Sequence, residues 1–280
     1  MRKERIRRSV IAGTWYPGQP ERLRQKVDGF LRNVEPQLVQ GELMGLIAPH
    51  AGYDYSGQVA ACAYRLLQHN GGAAALYDLV VVISPLHRML LGEFATAQAA
   101  HYETPLGLVP VDAEAVDTLD EALGLNRVGF DNEHSLEIQL PFLQVVLGEF
   151  KLLPVMMGSQ DIASCQKMAA ALAGLLDSRP ALLVASTDLS HFHPYDYAVQ
   201  IDQATLAYIA RFDPEGLAQA LQSHKAEACG GGPVVATMLA TRLLGANRVQ
   251  VLKYANSGDM TGDRSSVVGY AAGVIYRERI

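Results

Sequence analysis

The chain has 280 residues and a formal net charge of −6, a length near the upper end of what one hydrophobic core supports. Hydrophobic residues make up 49% and charged ones 19%, a balance that suits a well-buried α/β core and argues against intrinsic disorder. The negative charge is spread along the chain, which offers no basic face to nucleic acid or an anionic membrane. With no apolar leader and no run of about 18 uncharged apolar residues, the expected address is the cytoplasm.

In chain order, Met1-Arg2-Lys3-Glu4-Arg5-Ile6-Arg7-Arg8 is basic and is expected to be a solvated amino terminus. Leu46-Ile47-Ala48 reads as a buried strand that leaves its sheet at Pro49 and is followed by His50. A helix follows around Gln58–Gln68. Leu79 to Ile83 is a second buried strand, and Ser84-Pro85-Leu86-His87 repeats the pattern of strand end, Pro and His. Helices are expected at Ala113–Leu123 and Asp161–Leu176, on either side of a strand at Leu152–Val155. The strand Leu182–Ala185 runs into Ser186-Thr187-Asp188-Leu189-Ser190-His191. Helices around Gln203–Arg211 and Pro233–Leu243 and strands at Val249–Tyr254 and Ser266–Tyr276 complete the chain. Alternating strands and helices predict a single α/β domain over residues 1–280, with a mixed, mainly parallel central sheet flanked by helices.

The candidate chemistry lies where these strands end, because ligands in open α/β sheets bind beyond the carboxyl ends of parallel strands. His50 and His87 are a matched pair of imidazoles suited to iron, copper or zinc. Cys229 stands in Glu227-Ala228-Cys229-Gly230-Gly231-Gly232-Pro233, before a helix whose dipole is expected to favour the thiolate. Its alternative is a tight turn in which the thiol only packs. Cys62 and Cys165 read as core fillers. The segment Asp131-Asn132-Glu133-His134-Ser135-Leu136-Glu137 holds Glu133, His134 and Glu137. If it is helical, the two carboxylates share a face and are candidates to orient a ligand or act as acid and base, whereas a capped helix start is the plain alternative. Asp188 and His191 are candidates for an orienting carboxylate and an acid/base imidazole, with His193 close behind. His69, His101 and His224 are expected to be surface or packing residues.

Taken together, Ile47-Ala48-Pro49-His50-Ala51-Gly52-Tyr53, Ser84-Pro85-Leu86-His87, Glu133-His134-Ser135 with Glu137, Ser186-Thr187-Asp188 with His191, Cys229-Gly230 and the closing Ser265 to Gly273 resemble the Memo family. Ala12-Gly13-Thr14-Trp15-Tyr16-Pro17 also fits, so the resemblance spans almost the whole chain in order. It implies a fold similar to the class III extradiol dioxygenases, which are non-haem iron enzymes. It also implies His50, His87 and Cys229 as metal ligands, with Asp188 and His191 beside them. Those dioxygenases use a carboxylate where this family places Cys, which favours iron(II) or copper in a redox role over catechol cleavage. Leu86 and Arg88 flank His87 where the family commonly has Ser and a second His.

Three functions follow. The first is a metal-dependent redox protein in which Asp188 and His134 orient ligands and His191 handles protons, acting on an unknown small molecule or peptide. Bacterial and archaeal relatives imply an association with a radical S-adenosylmethionine protein. The second is a non-enzymatic peptide- or protein-binding module whose pocket is lined by Trp15, Tyr16 and Tyr53. The third is a metal-free Cys/His hydrolase built on Cys229.

Overall fold

The structure, a computed structural model, describes residues 5–35, 37, 39–69, 77 and 79–278. The strands are β1 (Ile6–Arg7), β2 (Gly41–Ala48), β3 (Leu79–Pro85), β4 (Phe94–Ala97), β5 (His101–Thr104), β6 (Gly107–Pro110), β7 (Asn126–Val128), β8 (Lys151–Met157), β9 (Ala181–Ser186), β10 (His191–His193), β11 (Arg248–Asn256) and β12 (Val267–Glu278). The helices are α1 (Pro20–Arg32), α2 (Tyr53–His69), α3 (Ala113–Leu123), α4 (Leu140–Leu147), α5 (Ile162–Leu176), α6 (Tyr195–Ala210), α7 (Pro214–Gln222), α8 (Gly231–Leu243) and α9 (Ser257–Thr261). None of the described helices is long and apolar enough to cross a membrane.

The main sheet runs in the order β10-β12-β2-β9-β3-β8-β4-β7, with β11 pairing on β12. Its centre, β2-β9-β3-β8, is parallel. β12 joins that centre antiparallel on one side and β4 on the other. The sheet is therefore mixed: a second parallel pair, β4 with β7, closes the far edge, and the parallel core lies in strands covered on both faces. That is the burial that parallel strands require, and Leu79 to Ile83 and Leu182 to Ala185 are each at most 1% exposed. One face is covered by α1, α2 and α4 through Leu23, Val27, Tyr64 and Phe142. Residues of α3, α5, α7 and α8, including Leu119, Met168, Leu217 and Met238, cover the other.

The parallel centre positions the site. Ala48 of β2 lies level with Ser186 of β9, and β3 is in register with β9 from the other side. The three strands thus end together, and the residues beyond them, His50, Asp188 and His87, emerge at one edge. A side chain placed there needs no further folding element to bring it to its neighbours.

The amino terminus departs from expectation. Arg7 is buried, ion-paired with Asp131 and Glu137, and its strand β1 pairs with β5. A guanidinium that finds two carboxylates and a carbonyl in one place is no longer driven to remain in water. Residues 1–4 lie outside the described set, as does the side chain of His69. Cys165 is fully buried, and burial pushes its thiol up to about 12. Cys62 is half-buried and His224 is exposed.

Candidate metal centre

Beyond the ends of β2, β3 and β9, one donor atom from each of His50, His87 and Cys229 comes within 4.8 Å of the others. His50 is 2% exposed. Its Nδ1 lies 3.0 Å from Ser186 Oγ. That hydroxyl donates its one proton to the Ser135 carbonyl at 2.6 Å and accepts from Gln139 Nε2 at 2.8 Å. It is therefore the acceptor for His50, which makes Nδ1 the protonated nitrogen and leaves the lone pair on Nε2. This Nε2 stands 3.1 Å from Cys229 Sγ. Burial, followed by the nearby His87 and His134, holds the His50 imidazole well below its ordinary value, and so neutral.

His87 is oriented by a different partner. Its Nδ1 lies 3.1 Å from Glu133 Oε1, and its amide donates to Glu133 Oε2 at 2.6 Å. A carboxylate at Nδ1 directs the other nitrogen, Nε2, away from it, the arrangement that orients metal-bound imidazoles. Glu133 also accepts the amides of His134 and Ser135 and lies 3.1 Å from His134 Nδ1. Burial opposes its ionisation, but the hydrogen bonds from His134 and His87 outweigh it and hold this carboxyl far below the usual range. His87, Glu133 and His134 also place donor atoms within 4.8 Å of one another. With Glu133 saturated by these donors, that trio is an orienting relay.

Cys229 differs from expectation. Burial, and then the Asp188 carboxylate, push its thiol above the ordinary range, so the protonated form is favoured. The helix-start amides that would have stabilised a thiolate are already engaged. Gly230 N donates to Thr187 Oγ1 and Gly232 N to Gln160 Oε1. The sulfur receives one backbone hydrogen bond, from Asp188 N at 3.3 Å. Desolvation then exceeds what the dipole supplies.

Asp188 meets the centre through the backbone. Its Oδ1 accepts the amides of His50 at 2.7 Å and Ala51 at 3.3 Å, fixing the turn that carries His50. His134 packs its ring on Trp15 with centroids 4.3 Å apart and lies 5.0 to 5.5 Å from the rings of His87 and His50. His191 borders the same cavity; its Nδ1 donates to the Leu189 carbonyl at 2.9 Å, so Nε2 is its free acceptor. Glu227 holds this turn, accepting the His191 amide at 3.0 Å and His193 Nε2 at 2.8 Å.

Glu137 is brought to a different place from the other acid/base candidates. It is fully buried and accepts from Arg7, Ser9 Oγ, Tyr16 Oη and the amides of Val10 and Ile11. The helical premise fails because Asp131 to His134 is non-helical and helical structure starts only at Glu137, as a short 3-10 turn, Glu137–Gln139, that leads into α4. Asp131 and Glu133 bind the amides of residues 133 to 135 themselves, a local competitor to helix. The two carboxylates consequently serve different neighbours. Tyr16 and Tyr53 do not border the cavity either, since their hydroxyls are engaged by Glu137 and the Ile138 carbonyl.

The cavity over the centre measures about 510 Å³ and is bordered by His50, His87, His134, His191, Trp15, Tyr55, Tyr270, Asp188 and Arg88. Cys229 borders a different cavity, of about 550 Å³, with Asp161, Glu215 and Glu227. Glu133, a candidate from the sequence, does orient a neighbouring imidazole, that of His87. Ser186, Gln139 and Glu227 carry no local signal that marks them as site residues, because their partners are distant in sequence.

Residues 7–274 match the family model described as Memo-like protein. A MEMO1 family protein of Methanopyrus kandleri is 37% identical, the match covering 97% of this chain and 99% of that protein. One from Methanothermobacter thermautotrophicus is also 37% identical, with 95% and 99% covered. Among solved structures, that of an uncharacterized protein from Escherichia coli K12 shares the fold, with a TM-score of 0.55 at 15% identity over 83% of this chain and 99% of that one.

Proposed function

The chain belongs to the Memo-like protein family, and on that premise we propose that it binds iron(II) or copper through His50 Nε2, His87 Nε2 and the Cys229 thiolate, acting as a redox protein on a ligand in the adjoining cavity. The observation that carries the reading is the convergence of these donors within 4.8 Å, with each imidazole's other nitrogen already committed. A donor set of two imidazoles and one thiol suits a borderline or soft transition metal and not magnesium or calcium. When bound, the ion would supply one-electron redox chemistry and coordination positions for a ligand.

The protein's own groups divide the remaining work. Ser186 and Glu133 fix the two imidazoles, and Asp188 fixes the turn behind His50. His191 borders the cavity with Nδ1 committed to the Leu189 carbonyl, which leaves Nε2 as the nitrogen to accept a proton. Trp15 and His134 pack on each other in the cavity wall. A hydrolase reading is favoured by the 3.1 Å Cys229–His50 contact and by the His50 tautomer, whose lone pair faces the sulfur, but burial holds the thiol high and the imidazole low, which leaves a neutral pair poorly suited to attack.

Anaerobic loading with iron(II) or copper(I), followed by metal analysis and absorption spectroscopy, tests the proposal. One equivalent is expected, with His50→Ala, His87→Ala and Cys229→Ala each abolishing tight uptake and Cys229→Ala also removing any sulfur-to-metal charge-transfer band. Uptake unaffected by all three substitutions would overturn it. An esterase activity that survives chelation and is lost on Cys229 alkylation would favour the hydrolase.

A further inference from the structure

The charged groups that border the main cavity are unequal in their commitments. Asp54 is ion-paired with Lys26, and Asp188 is occupied by the amides of His50 and Ala51. Arg88, next to His87 in the loop after β3, is exposed, and among the described residues its guanidinium has no hydrogen bond or ion pair. It is thus the cavity's one fixed charge without an opposite charge or hydrogen-bond partner from the protein. A guanidinium presents a planar fork of donors that matches a carboxylate in two parallel hydrogen bonds. The lining also includes Trp15, Tyr55, Tyr270 and Val268, and such rings suit a flat apolar body with a polar end. A volume of about 510 Å³ is within the range of small-molecule sites.

We infer that this cavity takes a small aromatic carboxylate, its carboxylate on Arg88 and its ring against Trp15, Tyr55 and Tyr270. The inference rests on the reading of the cavity as the ligand site and needs no metal. Arg88 selects for negative charge, and the aromatic wall selects for a flat ring.

Trp15 is the only tryptophan in the chain and borders the cavity, so its fluorescence reports occupancy. The experiment titrates chelator-treated full-length protein with benzoate, with its uncharged analogue benzamide, and with acetate. Benzoate is expected to change the emission saturably. Affinity should fall roughly tenfold for benzamide, for acetate and for benzoate on Arg88→Gln, with Arg88→Lys intermediate because it keeps the charge and loses the fork. Benzamide binding as tightly as benzoate, an unchanged affinity in Arg88→Gln, or no response to benzoate overturns the inference. Benzoate binding that requires added metal and ignores Arg88 overturns it and leaves the metal reading standing. Arg88-dependent binding in protein that takes up no metal sustains it and removes the metal reading.

Discussion

The Cys229 thiol keeps its proton before any ion arrives: burial holds it up, and the His50 lone pair faces it at 3.1 Å. A cation bound by the sulfur must displace that proton, whereas His50, held below its ordinary value, contributes none. The sign follows. Apparent metal affinity should rise by about tenfold per pH unit across the neutral range, with one proton released per ion. Calorimetry in buffers of different protonation enthalpy measures the release; zero protons would remove Cys229 from the ligand set. Glu133 can be tested at the same scale. Glu133→Gln should weaken metal binding by roughly 10- to 100-fold, the usual cost of losing a group that orients a ligand imidazole, read by chelator competition. Because the folded state depresses this carboxyl below its ordinary 4.5, its contribution to stability is complete above that value and is lost as the pH falls below it. Wild type and Glu133→Gln should therefore melt farthest apart at neutral pH and converge in acid.

Among the elements, the strands that build the site were the most legible in the sequence. A buried apolar run followed by Pro marks where a parallel strand must leave the sheet, so β2 and β3 and the His after each could be read from local chemistry. α3 matches its expected Ala113–Leu123, and α5 begins one residue inside its expected start because Asp161 caps it from outside. The start of α2 five residues early, at Tyr53, was not legible: its first amide is held by the Trp15 carbonyl, a partner distant in sequence. The place of Cys229 was equally non-local. Gly230 passes so close to the Ser186 carbonyl and Thr187 that a Cβ there has no room, and this contact brings the α8 loop against β9. Gly230→Ala should cost about 1–3 kcal/mol by overpacking and displace Cys229. It should lower metal affinity more than Gly174→Ala, where a Cβ meets nothing within 4 Å. Equal affinities in the two variants would show that the close approach does not set the position of the sulfur.

At the scale of the molecule, one buried carboxylate at the turn before α4 gathers several groups of the amino-terminal segment, and this decides what Glu137 does. Its oxygens collect Arg7, Ser9, Tyr16 and two backbone amides, and the segment so held carries Trp15 onto His134. Leaving Arg7 buried with half its counter-charge is expensive, because removing one partner of a buried pair typically costs about 3–5 kcal/mol. Glu137→Leu should lose about that much stability in denaturant unfolding. Adding Arg7→Met should recover only part of it, since the Ser9 and Tyr16 hydroxyls and the Val10 and Ile11 amides would still lack their acceptor. At a temperature where the variant remains folded, metal affinity should stay within about threefold of wild type, while Trp15 emission shifts as its ring leaves His134. The opposite pattern, unchanged stability with lost metal binding, would return Glu137 to the chemical role that its spacing from Glu133 suggested. The geometry opposes that outcome because every donor that reaches Glu137 comes from the segment it anchors and none comes from the cavity.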